Sequence, residues 1–145
     1  RERERERRMA NGETDLDVLL KGMTPTLDET KWCFVCYKSS GGVHPLLADA
    51  LATFREKEGL TLVIEESQAT PRDCWSGEVS KPYAKITLEI HSSLEAVGLT
   101  AKVTEALTKE GISANVIAAY YHDHVFVPWE RRKDALKCLK KLCLN

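Results

Sequence analysis

Eight consecutive residues, Ala84-Lys85-Ile86-Thr87-Leu88-Glu89-Ile90-His91, alternate apolar and polar without a slip. Only a strand with one buried face needs that period, so a half-buried sheet is the first constraint on the fold. Ser92-Ser93-Leu94-Glu95 follows, where the Ser92 hydroxyl can accept from the Glu95 amide while the Glu95 carboxylate reaches back to Ser92. Ala96, Leu99, Val103, Ala106 and Leu107 then recur at helical spacing, and Gly111 stands where a left-handed cap would end the helix. These signals predict a helix over about 94–110. Ala114–Tyr121 reads as a strand, His122-Asp123 as a tight turn and His124–Val127 as a strand, before Pro128 and Trp129 open a cationic amphipathic helix. The order β-α-β-β-α has one helix covering a face of a small sheet.

Composition narrows the class. A chain of 145 residues can bury about two-thirds of its unfolded surface as one domain or two small ones. The formal net charge is −1, so no overall field draws it to nucleic acid or an anionic membrane. No apolar run reaches the roughly 20 residues that span a bilayer, and no secretory core is present, which points to a soluble, cytoplasmic protein. Five cysteines, Cys33, Cys36, Cys74, Cys138 and Cys143, form an odd set that reads as reduced thiols. Residues 1–8 hold five arginines and three glutamates with nothing apolar to dock them; 1–14 is expected to be a disordered charged tail.

Leu16, Val18, Leu19, Leu20 and Met23 predict a short helix against the sheet edge, closed by Gly22 and a Thr24-Pro25-Thr26 turn. Trp32–Tyr37 reads as a strand followed by a Ser39–Gly42 loop. By pattern, Pro45–Phe54 suits a helix, and Ser67–Asp73 one or two helical turns limited by Pro71.

The run Ser92-Ser93-Leu94-Glu95-Ala96-Val97-Gly98-Leu99-Thr100-Ala101, with Glu110–Val116 and Tyr120–Pro128, resembles the small stand-alone ACT-domain proteins, and Leu51–Val63 resembles their other shared block. The resemblance covers residues 16–143 and implies an α+β fold of ferredoxin-like βαββαβ modules, two ACT-like halves packed in one compact body. The halves are 15–80 and 81–145. It also implies that Leu51–Arg55 and Leu60–Glu65 form a hairpin turned at Lys57-Glu58-Gly59, against the helical pattern. The chain ends after its last helix, so the strand closing the second module has to come from the N-terminal half, with Trp32–Tyr37 as the candidate. An unpaired strand edge suggests a homodimer.

The loop into the first predicted helix is the main candidate site, because free amides and the positive helix end favour a carboxylate. The resemblance implies an amino acid or similar small carboxylate held by Ser92, Ser93, Leu94, Glu95, Ala96, Val97 and Gly98, with Asn115, Val116 and Ile117 on a facing strand. Capping chemistry accounts for Ser92 and Glu95 equally well. His122-Asp123-His124 invites a metal, but turn residues splay outward and no nearby ligand completes the set. Tyr120 and Tyr121 are read as sheet packing. Cys33 and Cys36 point to opposite faces of a strand, which separates them as a redox or metal pair. Arg131, Arg132, Lys133, Lys137, Lys140 and Lys141 read as a solvated basic face.

No nucleophile elbow, phosphate loop or metal-binding His-Glu pair is present, so the expectation is a non-catalytic binding protein without cofactor or metal. The alternatives are a ligand-free interaction or dimerisation domain and an RNA-binding sheet. The second lacks the basic-glycine-aromatic run that stacks bases, so no nucleic-acid partner is expected, and no membrane.

Overall fold

The computed structural model describes residues 1–5, 15–38, 45–70, 75–89 and 97–144. They divide into two compact units, Glu29–Ala84 and a unit built from Arg1–Asp28 with Lys85–Asn145. Ile90 and His91, the end of the alternating run, lie outside the described residues, as do Ser92–Ala96, the Ser39–Gly42 loop and Pro71–Cys74.

In the unit Glu29–Ala84, strand β2 (Trp32–Tyr37) pairs antiparallel with β4 (Gly59–Glu65), and β4 with β3 (Ala52–Glu56). The hairpin register ends at Glu56↔Gly59, so Lys57 and Glu58 alone make the turn. The helical reading of Pro45–Phe54 gives way to one 3-10 turn at Pro45–Leu47, because Thr53, Phe54 and Arg55 are drawn into ladder bonds with β4. A second 3-10 turn covers Glu66–Gln68. Gly59 begins β4 rather than sitting in the turn, with φ +151. A Cβ there would run into the Tyr37 carbonyl oxygen and lie 2.9 Å from the Cys36 sulfur. Cys33, Val35, Leu62, Ile64, Ala69 and Trp75 form the buried cluster of this unit. Cys33 points into that cluster while Cys36 is only half-buried, as the strand period requires. The first residue of β5 (Tyr83–Glu89) joins β2 through Trp32↔Tyr83.

In the other unit, α1 (Leu16–Gly22) is capped by the Asp15 carboxylate, which accepts from the Val18 amide at 3.2 Å. It packs against helices α2 (Leu99–Lys109) and α3 (Arg132–Leu144) rather than on a sheet edge, burying Leu19 completely. Thr24-Pro25-Thr26 is not a turn: β1 (Thr24–Leu27) pairs antiparallel with β5 over Thr24↔Glu89 to Leu27↔Ile86. Pro25 is tolerated because β1 is an edge strand with no neighbour waiting for its missing amide. The closing strand is therefore supplied from the N-terminal side, but by β1, whereas Trp32–Tyr37 serves the other unit.

Strand order here is β1-β5-β7-β6, with β6 (Asn115–Ala118) antiparallel to β7 (Asp123–Pro128). Along β5, Ala84, Ile86 and Leu88 are buried and their neighbours are not, as the alternation demands. Val103, Leu107, Leu139, Val125 and Val127 are fully buried, each worth about 1.5–3 kcal/mol of burial. Gly111 closes α2 at φ +67, where its amide donates to Thr108 and that of buried Ile112 donates to Leu107. Those paired bonds and the apolar residue after the glycine end a helix in the expected way.

Two sequence expectations change at the β6–β7 hairpin. Strand β6 stops at Ala118, and the Ala119 amide donates to the His122 carbonyl at 3.0 Å, so Tyr120 and Tyr121 sit in the turn. They are 70% and 64% exposed and touch each other edge to face at 4.9 Å, so they supply no sheet packing. Asp123 is the buried first residue of β7 rather than part of the turn. On α3, Lys133, Lys137, Lys140 and Lys141 are exposed, but Arg131 and Arg132 leave the solvated face. Arg131 donates to the Glu110 carbonyl and to Asp134, and Arg132 stacks on the Trp129 ring at 4.0 Å.

Candidate functional site

Helix α2 starts later than its sequence suggests. Its N-cap is Gly98 in the left-handed conformation (φ 96, ψ −12), and neither Val97 nor Gly98 is helical. The Ser92–Glu95 box therefore does not cap this helix: three residues of sequence, Ala96, Val97 and Gly98, stand between Glu95 and the first helical residue, Leu99. A glycine N-cap has no side-chain oxygen, so it leaves the first-turn amides of α2 without the usual acceptor. Gly98 is also approached closely, since Leu16 Cδ2 lies 3.3 Å from where a Cβ would stand. Val97, beside it, is 82% exposed. Of the loop candidates, Ser92, Ser93, Leu94, Glu95 and Ala96 lie outside the described residues.

Asn115, Val116 and Ile117 lie on β6, at the open edge of their sheet, facing Phe126, Val125 and His124 across the ladder. Asn115 is exposed and the other two are half-buried. The 11 residues of α2 span about 16 Å, Gly98 marks one end, and Asn115 follows the turn at the other.

One strand in from this edge, His124 Nδ1 on β7 and Thr87 Oγ1 on β5 share a hydrogen bond of 3.0 Å, and at the opposite edge Thr26 Oγ1 on β1 donates to Glu89 at 2.8 Å. Lys85 Nζ stands 3.7 Å from Asp28. Burial, helped by the charges of Lys85 and His122, pushes the His124 pKa down. Burial pushes that of Asp123 up, against the smaller opposing effect of His122. Among the described residues no group of three His, Cys, Asp or Glu side chains could hold a metal ion. Cys33, Cys138 and Cys143 are raised chiefly by burial, which favours the unreactive thiol, and Cys138 and Cys143 donate to the carbonyls of Ala106 and Leu139.

A groove of about 400 Å³ where α2 ends against α3 is lined by Glu110, Arg131, Asp134, Lys137, Cys138 and Lys141. Its arginine is already engaged, and its remaining charges are of both signs. Sequence reasoning missed Leu16, Thr24 and Thr26 as neighbours of the loop ends, and Thr87 as the partner of His124. Each contact joins residues far apart in the chain, for which local pattern carries no signal.

Among curated proteins none matches this sequence. A Vibrio cholerae protein of unknown function, described as a possible transport protein, is 44% identical; the match covers 88% of this chain and 95% of that one, with a TM-score of 0.74. An Agrobacterium tumefaciens protein aligns over 83% of this chain and 89% of its own at 17% identity and a TM-score of 0.65. The ligand-free regulatory subunit of aspartate kinase from Thermus thermophilus aligns over 85% and 97% at 12% identity and 0.60, a likeness of fold. Residues 11–74 and 78–141 each match the sequence model of an ACT domain. With two such modules in tandem and an α+β, ferredoxin-like fold, the chain belongs to the ACT-domain family.

Proposed function

We propose that this chain is a non-catalytic regulatory protein that binds a free amino acid, or a small carboxylate like it, at the loop Ser92–Gly98. The observation that carries this reading is the left-handed Gly98 at the start of α2. Gly98 itself has no side chain to cap the first-turn amides of α2, and such amides with the positive helix end suit a carboxylate. Asn115 follows the end of α2 remote from Gly98, and in this reading Asn115, Val116 and Ile117 complete the site from a second copy. A homodimer follows, and the open edge of β6 is the surface available for it. Among the described residues no helix is long and apolar enough to cross a membrane, and the described cysteines are unpaired, which fits a cytoplasmic setting. The regulatory-subunit neighbour from Thermus thermophilus favours regulation over catalysis.

A thermal-shift screen against the standard amino acids and common 2-oxo acids tests the proposal. At a hundred times the dissociation constant, binding adds about 2.7 kcal/mol and raises the midpoint by several degrees. The rise should be selective and should vanish in Asn115→Ala, an exposed position whose truncation leaves the unliganded midpoint alone. No shift with any compound would leave a ligand-free interaction domain as the reading.

A further inference from the structure

The two ends of the candidate loop share a feature that their own sequence does not contain. Glu89 closes β5 before the loop, and Gly98 opens α2 after it. Glu89 is paired with Thr24 in the β1–β5 register and its carboxylate accepts from the Thr26 hydroxyl at 2.8 Å. Gly98 has the Leu16 methyl group against it, 3.3 Å from its missing Cβ. Leu16 and Thr24 belong to one short piece of chain, α1 and β1, joined only by Met23, which is itself buried. That piece is fastened independently of the loop, by Leu19 in the core, by the packing of α1 on α2 and α3, and by Asp28, whose amide donates to the Lys85 carbonyl at 3.0 Å.

We infer that the N-terminal arm, residues 15–27, is the positioning element of the ligand loop, with Leu16 setting the Gly98 end and β1 setting the Glu89 end. The inference deepens the proposed function and rests on it for the identity of the loop. Its physical content is that two points on one rigid arm fix the separation and orientation of the loop's ends. The left-handed cap at Gly98 then stays in place without a ligand. Leu16 is a positioning residue and touches no ligand.

Hydrogen exchange on the full-length, ligand-free protein tests the brace. The reporter is the Lys102 amide, whose bond to the Gly98 carbonyl at 3.0 Å is the first of α2. Leu16→Ala should speed its exchange by about tenfold while amides around Leu139 in α3 stay as protected as before. Val18→Ala is the control, because Val18 lies on the same helix but is 51% exposed, and it should leave Lys102 unchanged. Unchanged exchange in Leu16→Ala, an equal rise in Val18→Ala, or an equal rise around Leu139 would each overturn the inference.

The same two variants go through the amino-acid screen. A compound that shifts the wild type should bind Leu16→Ala about tenfold more weakly and Val18→Ala normally, whereas equal binding by both counts against the arm. A screen in which nothing binds the wild type removes the proposed function, and the exchange comparison still decides the brace.

Discussion

Gly59 is the residue whose identity the backbone most restricts. Its φ of +151 and the carbonyl of Tyr37 leave no room for a Cβ, so Gly59→Ala should cost on the order of 1–3 kcal/mol. At Gly111 the conformation is also left-handed but open space surrounds it, so Gly111→Ala should carry the conformational cost alone, about 1 kcal/mol. Chemical denaturation of both variants compares them, and an equal loss would remove the collision with Tyr37 from the account. His124 and Asp123 give the pH dependence, with opposite signs. The folded chain favours neutral His124, so its contribution is present above the ordinary histidine value of about 6.5 and is lost as pH falls through it toward the depressed folded value. His124→Gln should therefore flatten the fall in midpoint between about pH 7 and pH 5. The folded chain also favours neutral Asp123, so that contribution is present below the ordinary carboxyl range and lost as pH rises through the raised value. Asp123→Asn should raise the midpoint at neutral pH and leave it unchanged near pH 3, about where both states are protonated.

Among the elements, β1 has the least support in its own sequence and the most consequence. Four residues containing a proline would not be taken for a strand, yet all four pair with Ile86–Glu89 of β5 and lie against α3. Without β1 and α1, β5 loses its antiparallel neighbour and the helices lose the residue Leu19 that fills the space between them. Residues 80–145 expressed alone should therefore show no cooperative thermal transition by circular dichroism. A folded, cooperative fragment would mean that β1 is dispensable. The contrast with α2 is instructive, since its C-terminal end is written in adjacent residues and came out as read. Its start was misplaced because Ser92 and Glu95 satisfy a local capping rule that the chain does not use for this helix.

At the scale of the whole chain, one unit is interrupted by the other. Leu27 pairs with Ile86, and the Asp28 amide bonds to the Lys85 carbonyl, so Glu29–Ala84 is inserted where β1 and β5 would otherwise be joined by a hairpin turn. Replacing residues 29–84 with Asn-Gly, the pair that suits a two-residue hairpin, should then leave a folded protein. Trp129 would be its one tryptophan, since Trp32 and Trp75 go with the insert, and its fluorescence should report a single cooperative transition. A chain that stays unfolded would show that the unit Arg1–Asp28 with Lys85–Asn145 depends on Glu29–Ala84 beyond chain continuity.

The sequence by itself determined those features whose causes sit within a few residues of each other. The alternation of Tyr83–Glu89 in β5 and the glycine stop of α2 are of that kind, and the structure keeps both; the hairpin turned at Lys57-Glu58 is legible only through the family resemblance, against the helical pattern of Pro45–Phe54. The tertiary structure decided the rest. It recruited Thr24–Leu27 as a strand, with a side-chain bond to Glu89 across 63 positions. It set the α2 start at Gly98 beside Leu16, joined His124 to Thr87, and turned Tyr120 and Tyr121 outward. Propensity and capping act through neighbours in the chain, whereas strand pairing and side-chain packing act through neighbours in space, so only the first kind can be read before the chain has folded.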